Sequence, residues 1–193
     1  MKSKRVIQIG ILVVTLGLLA WGVTIGLERL AEPDDQKVAV PSAPAQTTTA
    51  HITATLFYAA GDGQTLLPLR REVPLAGGVV AQGRQILVAQ LAAAPDGQRS
   101  VIPAGTQLRA FYVTERGDAF VDLSREVASA HPGGTLNELL TVYAIVNAVT
   151  ANLPAVQRVQ LLVDGMEVDT IAGHVDVRRP LTKDTTLVRD AAP

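Results

Sequence analysis

Three histidines, His51, His131 and His174, are the chain's only imidazoles, and the chain has no cysteine. An imidazole can act as a general base or a metal ligand. No two of these histidines form an HxxxH pair, and none has carboxylates at the spacing a helical metal site needs. His174-Val175-Asp176 puts two polar side chains on one face of an extended segment, but a metal site needs more ligands than two. A hydrolase needs a nucleophile, a base and an orienting acid. On paper Ser124, His174 and either Asp122 or Asp176 could fill those places. Ser124 lies in Asp122-Leu123-Ser124-Arg125-Glu126, however, which is not a GxSxG elbow. A serine leaving a strand more commonly caps a turn. Glycoside hydrolysis needs two facing carboxylates, but the domain's twelve acidic residues always contain some pair, so a pair alone does not point to that chemistry. No GxGxxG and no Walker motif follows a strand pattern. The expectation is therefore a domain with no catalytic residues, no metal and no cofactor. Arg116-Gly117-Asp118 spells an adhesive tripeptide, but between two strand patterns it reads as a turn.

Two polar residues fit a structural role. Asp122, at the end of Phe120-Val121-Asp122-Leu123-Ser124, can accept backbone hydrogen bonds. Asn147 falls beside the apolar face of a helix, where a buried amide needs a partner. Gly165 and Gly173 suit turns or close backbone approach.

The positioning elements follow from periodicity. His51–Tyr58 alternates as a strand, Gly61-Asp62-Gly63 turns, and Leu66–Val73 returns as a hairpin partner. Pro68 marks that partner as an edge. Gly78–Ala93 has helical spacing despite Gly83, and Pro95-Asp96-Gly97 ends it. Pro103-Ala104-Gly105-Thr106 turns into a strand over Gln107–Thr114, and Ala119–Leu123 pairs back. Leu136–Leu153 is the strongest helix, with Leu136, Leu139, Leu140, Tyr143, Val146, Val149 and Leu153 in one stripe. Thr135 and Glu138 have capping-box spacing, and Pro154 stops the helix. Val156–Val163, the turn Asp164-Gly165, and Glu167–Ile171 form a last hairpin, with Ala172 to Leu181 extended. The order β-β-α-β-β-α-β-β predicts an α/β (α+β) domain. Its sheet is antiparallel or mixed, with two helices packed on one face.

The N-terminus reads differently. Lys2, Lys4 and Arg5 precede an uncharged run from Val6 to Leu27, with Trp21 near its far end. A helix over that run spans roughly 30 Å, enough for a bilayer core. The basic end stays cytoplasmic, so the rest lies outside. A cleaved signal peptide is the rival reading, but the small residues that cleavage needs are poorly placed. Residues 31–50, rich in Pro and Thr, form a linker; 51–183 form the domain; 184–193 are a polar tail. Lys and Arg number 17 against 18 Asp and Glu, so the chain has no basic excess for nucleic acid. The absence of cysteine excludes disulfides, thiol catalysis and a lipidated N-terminal Cys.

Pro103-Ala104-Gly105-Thr106 followed by Phe120-Val121-Asp122-Leu123-Ser124 resembles the first half of a GerMN domain, the sporulation and spore germination module. The helix with Glu138, Leu139, Leu140, Tyr143, Ile145, Val146 and Asn147 is similar to the family's helix. So are Val156 to Gly165, Ile171-Ala172-Gly173-His174-Val175-Asp176 and Arg179-Pro180-Leu181 to its later strand and turns. The resemblance spans His51 to Leu181. It implies a small domain without known catalysis, akin in fold to ring-building motifs, on exported membrane-anchored or lipidated proteins. The family-motif residues it marks are Pro103, Gly105, Asp122, Leu123, Glu138, Tyr143, Asn147, Gly165, Gly173 and His174. This sequence differs in holding one copy and in a transmembrane run where family members have a lipidated cysteine.

The expected function is protein–protein association in the cell envelope, with other envelope proteins or with itself, the membrane being engaged through Val6–Leu27. A sheet edge near Pro68 or a helix face is the expected contact. A wall-glycan module is the alternative and calls for exposed aromatics among Phe57, Tyr58, Phe111, Tyr112, Phe120 and Tyr143. An envelope hydrolase is the third reading, with His174 as its base.

Overall fold

The computed structural model describes residues 50–189. The apolar run Val6–Leu27 and nearly all of the linker lie outside the described residues. Among those described, no helix is long and apolar enough to cross a membrane.

β1 (His51–Ala59) and β2 (Leu66–Pro74) form an antiparallel hairpin, as the alternation predicts. The turn between them closes with the Ala60 N–H on the Thr65 carbonyl at 2.8 Å, and Gly63 takes a left-handed conformation. α1 (Val79–Leu91) follows. β3 (Leu108–Val113) and β4 (Asp118–Leu123) form a second hairpin, with a bulge between Leu108 and Ala110. A short turn of helix, α2 (Glu126–Ser129), leads to α3 (Thr135–Asn152). β5 (Arg158–Val163) then pairs parallel to β4, so β4, α3 and β5 form a crossover unit. β6 (Met166–Glu167) and β7 (Leu181–Thr182) add short antiparallel pairings to β5.

The fold is thus mixed α+β, but it departs from the expected single sheet with both helices on one face. The hairpin β1–β2 is a sheet of its own, and β3, β4, β5, β6 and β7 form the mixed sheet, with β7 paired to β5. α1 packs against β1, β2 and β3, and α3 against β1, β5 and β7, so each helix serves both sheets. This explains why α3 is buried almost all round. Leu140, Val142, Ala144, Ile145, Val146, Ala148 and Val149 are at most 2% exposed. A helix between two sheets cannot keep a single apolar stripe. Each large apolar side chain so buried contributes about 1.5–3 kcal/mol. Leu136, expected in the stripe, is exposed.

The hairpin stays separate because side-chain amides close its outer edge. Gln90 of α1 accepts from the Phe57 N–H at 2.8 Å and donates to the Phe57 carbonyl at 2.7 Å. Asn152 of α3 does the same for Thr55, at 2.8 and 2.7 Å. An amide side chain carries the same donor and acceptor as a peptide group, so each replaces one residue of a missing strand.

Two terminal details also differ from expectation. Thr135 is the first helical residue of α3, not its cap; Gly134 holds the cap position and no side chain caps it. The strand after Asp164-Gly165 stops at Glu167 instead of Ile171, and 172–180 bends instead of running straight. Glu138 accounts for the bend that begins at Ile171.

Candidate functional site

Glu138 sits one turn into α3 and is fully buried. Its Oε1 accepts the N–H groups of Ile171 and Ala172, both at 2.8 Å, and its Oε2 accepts that of His174 at 2.8 Å. The loop over 171–175 is wound around one carboxylate, which is why it cannot continue as a strand. Gly173, at φ 95°, makes the required turn, with its N–H on the Thr170 hydroxyl at 2.9 Å. Burial pushes the Glu138 carboxyl up. The N–H groups of Ala172, His174, Val175 and Ile171 outweigh that and hold it below the ordinary glutamate value. The His174 ring adds an Nδ1 contact of 3.3 Å to Oε2 from a side chain that is 41% exposed.

Asp122 performs the same task in the mixed sheet. Its Oδ1 accepts the Gly165 N–H at 2.8 Å, across the β5–β6 turn. Its Oδ2 takes the Arg109 Nε at 3.3 Å, and Arg109 reaches on to Asp164 at 3.1 Å. Asp164 and Gly165 both have positive φ, as a two-residue hairpin turn requires. Leu123 is buried, and its carbonyl accepts the Asp164 N–H at 2.9 Å. Asn147, also fully buried, finds its partner in the backbone of Asp184. It donates to that carbonyl at 2.6 Å and accepts from that N–H at 3.0 Å. Tyr143 lies nearby, half-buried; burial and then the Asp184 charge push its phenol up. Residues after Lys183, read above as tail, continue along β2. The Leu66 N–H donates to the Leu187 carbonyl at 2.7 Å and the Arg189 N–H to the Leu66 carbonyl at 2.8 Å. Pro103 and Gly105 form a turn closed by Thr106, whose hydroxyl donates to the Pro103 carbonyl at 2.7 Å.

The nucleophile, base and acid nominated from sequence each work elsewhere. The Ser124 hydroxyl accepts from the Gln107 N–H at 3.0 Å. His174 faces Glu138, Asp122 holds Gly165, and Asp176 is paired with Arg178 at 2.6 Å. Arg178 holds the Asp176 carboxyl down at about 2. No group of three potential metal-ligating residues occurs among the described residues. In Arg116-Gly117-Asp118 the first two residues lie in the β3–β4 turn, as expected, while the aspartate opens β4 and its carboxylate is held by Arg158 at 2.7 Å. Of the aromatics, Phe57, Tyr58 and Phe111 are buried. Tyr112 is 60% exposed, opposite Phe120 in the β3–β4 register. Both are among the aromatics from which the wall-glycan reading needs an exposed ring, and Tyr112 supplies one. Replacing His174 by alanine is expected to leave the fold intact, lowering stability by under about 1 kcal/mol, because the ring contact is half-exposed and the His174 N–H bond to Glu138 is kept. Thermal melting checks this.

A family model described as Germane, sporulation and spore germination, matches residues 55–169. The chain belongs to this family. The match runs from the middle of β1 to just past β6, with Glu138, Asp122 and Asn147 inside it. Solved GerMN domains share the fold. The tandem GerMN domains of the sporulation protein GerM from Bacillus subtilis are 18% identical, over 70% of this chain and 46% of that one, at a TM-score of 0.52. The first GerMN domain of that protein is 19% identical, over 68% of this chain and 97% of that one, also at 0.52. A protein of Clostridium perfringens described as a lipoprotein is 22% identical, over 74% of this chain and 95% of that one, at 0.50. The described domain therefore corresponds to one GerMN unit. Comparison with curated proteins gives no match.

Proposed function

We propose that this GerMN domain is a non-catalytic assembly module, held outside the cytoplasmic membrane by Val6–Leu27, that associates with envelope proteins or with itself. The observation that carries this reading is where the buried polar side chains are used. Glu138, Asp122, Asn147, Gln90 and Gln82 all bond to backbone groups of this same fold. A catalytic site keeps buried acids and bases free to face a substrate. Here they shape loops and close strand edges, which leaves a rigid body with defined outer surfaces. The family description supports a setting in sporulation or germination, and the lipoprotein description of one structural relative supports an extracytoplasmic, membrane-associated place.

A wall-glycan reading draws on Tyr112, whose exposed ring lies next to Phe120 on the mixed sheet. One well-exposed ring is a short platform for stacking, so the assembly reading stands ahead. Mild cross-linking in living cells, followed by recovery of the tagged full-length protein, separates the two. A defined set of envelope proteins, or the protein alone as an oligomer, is the expected result. Wall fragments without protein partners would overturn it in favour of the glycan.

A further inference from the structure

Where β1 ends, three segments enclose a hollow of about 270 Å³. The β1–β2 turn contributes Gly63, the segment after α1 contributes Arg99 and Val101, and the start of α3 contributes Asn137 and Leu140. Pockets that hold a whole small-molecule ligand run to roughly 300–1,000 Å³, so this one suits the end of a longer molecule. Arg99 is its only charged residue, and Val101 with the buried Leu140 gives it an apolar side.

The Arg99 guanidinium is positioned but has no partner. The Arg99 carbonyl accepts the Ala59 N–H at 2.8 Å, which fixes its backbone to the end of β1. Its side chain lies against Gly63, where a Cβ would come within 2.7 Å of Nη2. Gly63 has φ 69°, so the turn requires glycine both for its backbone and for this close approach. Asp62, the acid beside it, is turned to Arg189 at 3.4 Å. Among the described residues the Arg99 guanidinium makes no ion pair and no hydrogen bond. The surrounding walls are tied down. The Ser100 hydroxyl accepts the Ile102 N–H at 3.0 Å and donates to the Ile102 carbonyl at 3.1 Å. The Thr141 hydroxyl donates to the Val101 carbonyl at 2.6 Å, which joins that segment to α3. Asn137 donates through Nδ2 to the Gly133 carbonyl at 2.8 Å, and its Oδ1 accepts from no group among the described residues.

A guanidinium fork matches the two oxygens of a carboxylate. The neighbouring groups narrow the choice of carboxylate. A bare organic acid leaves the Asn137 oxygen and the apolar side unused. An acidic side chain on a folded surface reaches Arg99 from outside and leaves the apolar side unfilled. The end of a peptide chain carries all three complements: a carboxylate, the N–H of its last residue, and an apolar last side chain. We propose that this hollow receives the C-terminal end of a partner polypeptide, with its carboxylate on Arg99, its last N–H on Asn137 Oδ1, and an apolar last side chain over Val101 and Leu140. Capture of a chain terminus is an established mode of peptide recognition. This deepens the assembly reading and rests on it, by naming what the partner offers.

The test uses the full chain, immobilised in detergent and offered two random peptide libraries, one with free carboxylate ends and one with amidated ends. Enrichment of peptides with apolar last residues is expected from the first library and none from the second. The selected peptides are expected to bind Arg99→Gln about tenfold or more weakly, because a charge-assisted pair is lost. Added salt is expected to weaken binding to the wild-type chain. Arg99 is exposed, so Arg99→Gln is expected to melt with the wild type. Arg99→Lys keeps the charge without the fork and is expected to recover only part of the binding, which covers a glutamine variant that unsettles the turn. Equal enrichment from both libraries, enrichment from neither, or unchanged binding to Arg99→Gln overturns the proposal. So does binding of a short wall peptide ending in D-alanine when neither library is enriched. Cross-linking in cells separates this site from the assembly reading. If Arg99→Gln still recovers the same envelope proteins as the wild type, the assembly reading stands and this hollow is not their contact. Recovery of wall fragments alone by the wild-type chain removes both.

Discussion

Replacing Glu138 by alanine is expected to destabilise the domain by about 4 kcal/mol, measured by denaturant unfolding. The carboxylate accepts backbone N–H groups from Ile171, Ala172 and His174 in a site closed to solvent. Each buried donor left without an acceptor costs about 1–3 kcal/mol. Some of that cost is recovered if the loop opens to water, so the total falls below the simple sum. Opening the loop also exposes Ile171 and Val175, which pack in the core. Glu138→Gln is the sharper variant, because it keeps the volume. One amide oxygen can still accept, but the amide nitrogen then faces the N–H of His174, donor against donor. It is expected to lose about half as much as alanine does. Acid should act the same way. The folded-state carboxyl is held below its unfolded value, so its stabilisation is complete above pH about 4.5 and is lost as pH falls through the lower folded value. The wild-type chain is therefore expected to lose stability more steeply than Glu138→Gln as the pH falls below about 4.5. Equal slopes would show that the carboxylate is not the group that titrates.

Glu138 also shows what the sequence can and cannot reveal. Its spacing from Thr135 fits a capping box, and that local pattern is the available signal. The actual partners lie 33 to 36 residues away, in a loop that no periodicity connects to α3. Asn147 is legible as a buried amide needing a partner, but not that the partner is Asp184. The strands are readable because alternation is local: β1, β2, β4 and β5 fall within a residue or two of their expected limits. Their assembly into two sheets is not, because the division depends on Gln90 and Asn152 reaching across to β1. A glutamine inside a helix gives no sign of that from its neighbours. Asp122 is legible as an acceptor of backbone bonds, since an acid at a strand end has few other tasks, and the structure gives it the Gly165 N–H.

Gly83 is legible only as a flaw in a helix, and its replacement by alanine is expected to lower stability by about 2 kcal/mol. In an exposed helix the same change raises stability by about 1 kcal/mol, because glycine costs more entropy than alanine on ordering. Here a methyl at Gly83 lies 2.2 Å from Cε1 and 2.8 Å from Cζ of Phe111. Phe111 is 1% exposed and cannot swing away, and Leu153 closes the other side at 3.0 Å. Overpacking of this kind costs about 1–3 kcal/mol, sometimes more, and outweighs the helix gain. The glycine is therefore what lets α1 lie directly on β3. A rescue separates this from a backbone effect. Phe111→Leu alone leaves a void and destabilises the domain. Combined with Gly83→Ala, it is expected to cost less than the sum of the two single changes, by about 1 kcal/mol or more, since the residues touch. Strict additivity of the two changes in denaturant melts would mean that α1 does not rest on Phe111 at this glycine. The seating of the helix that holds Gln90 against β1 would then need another cause.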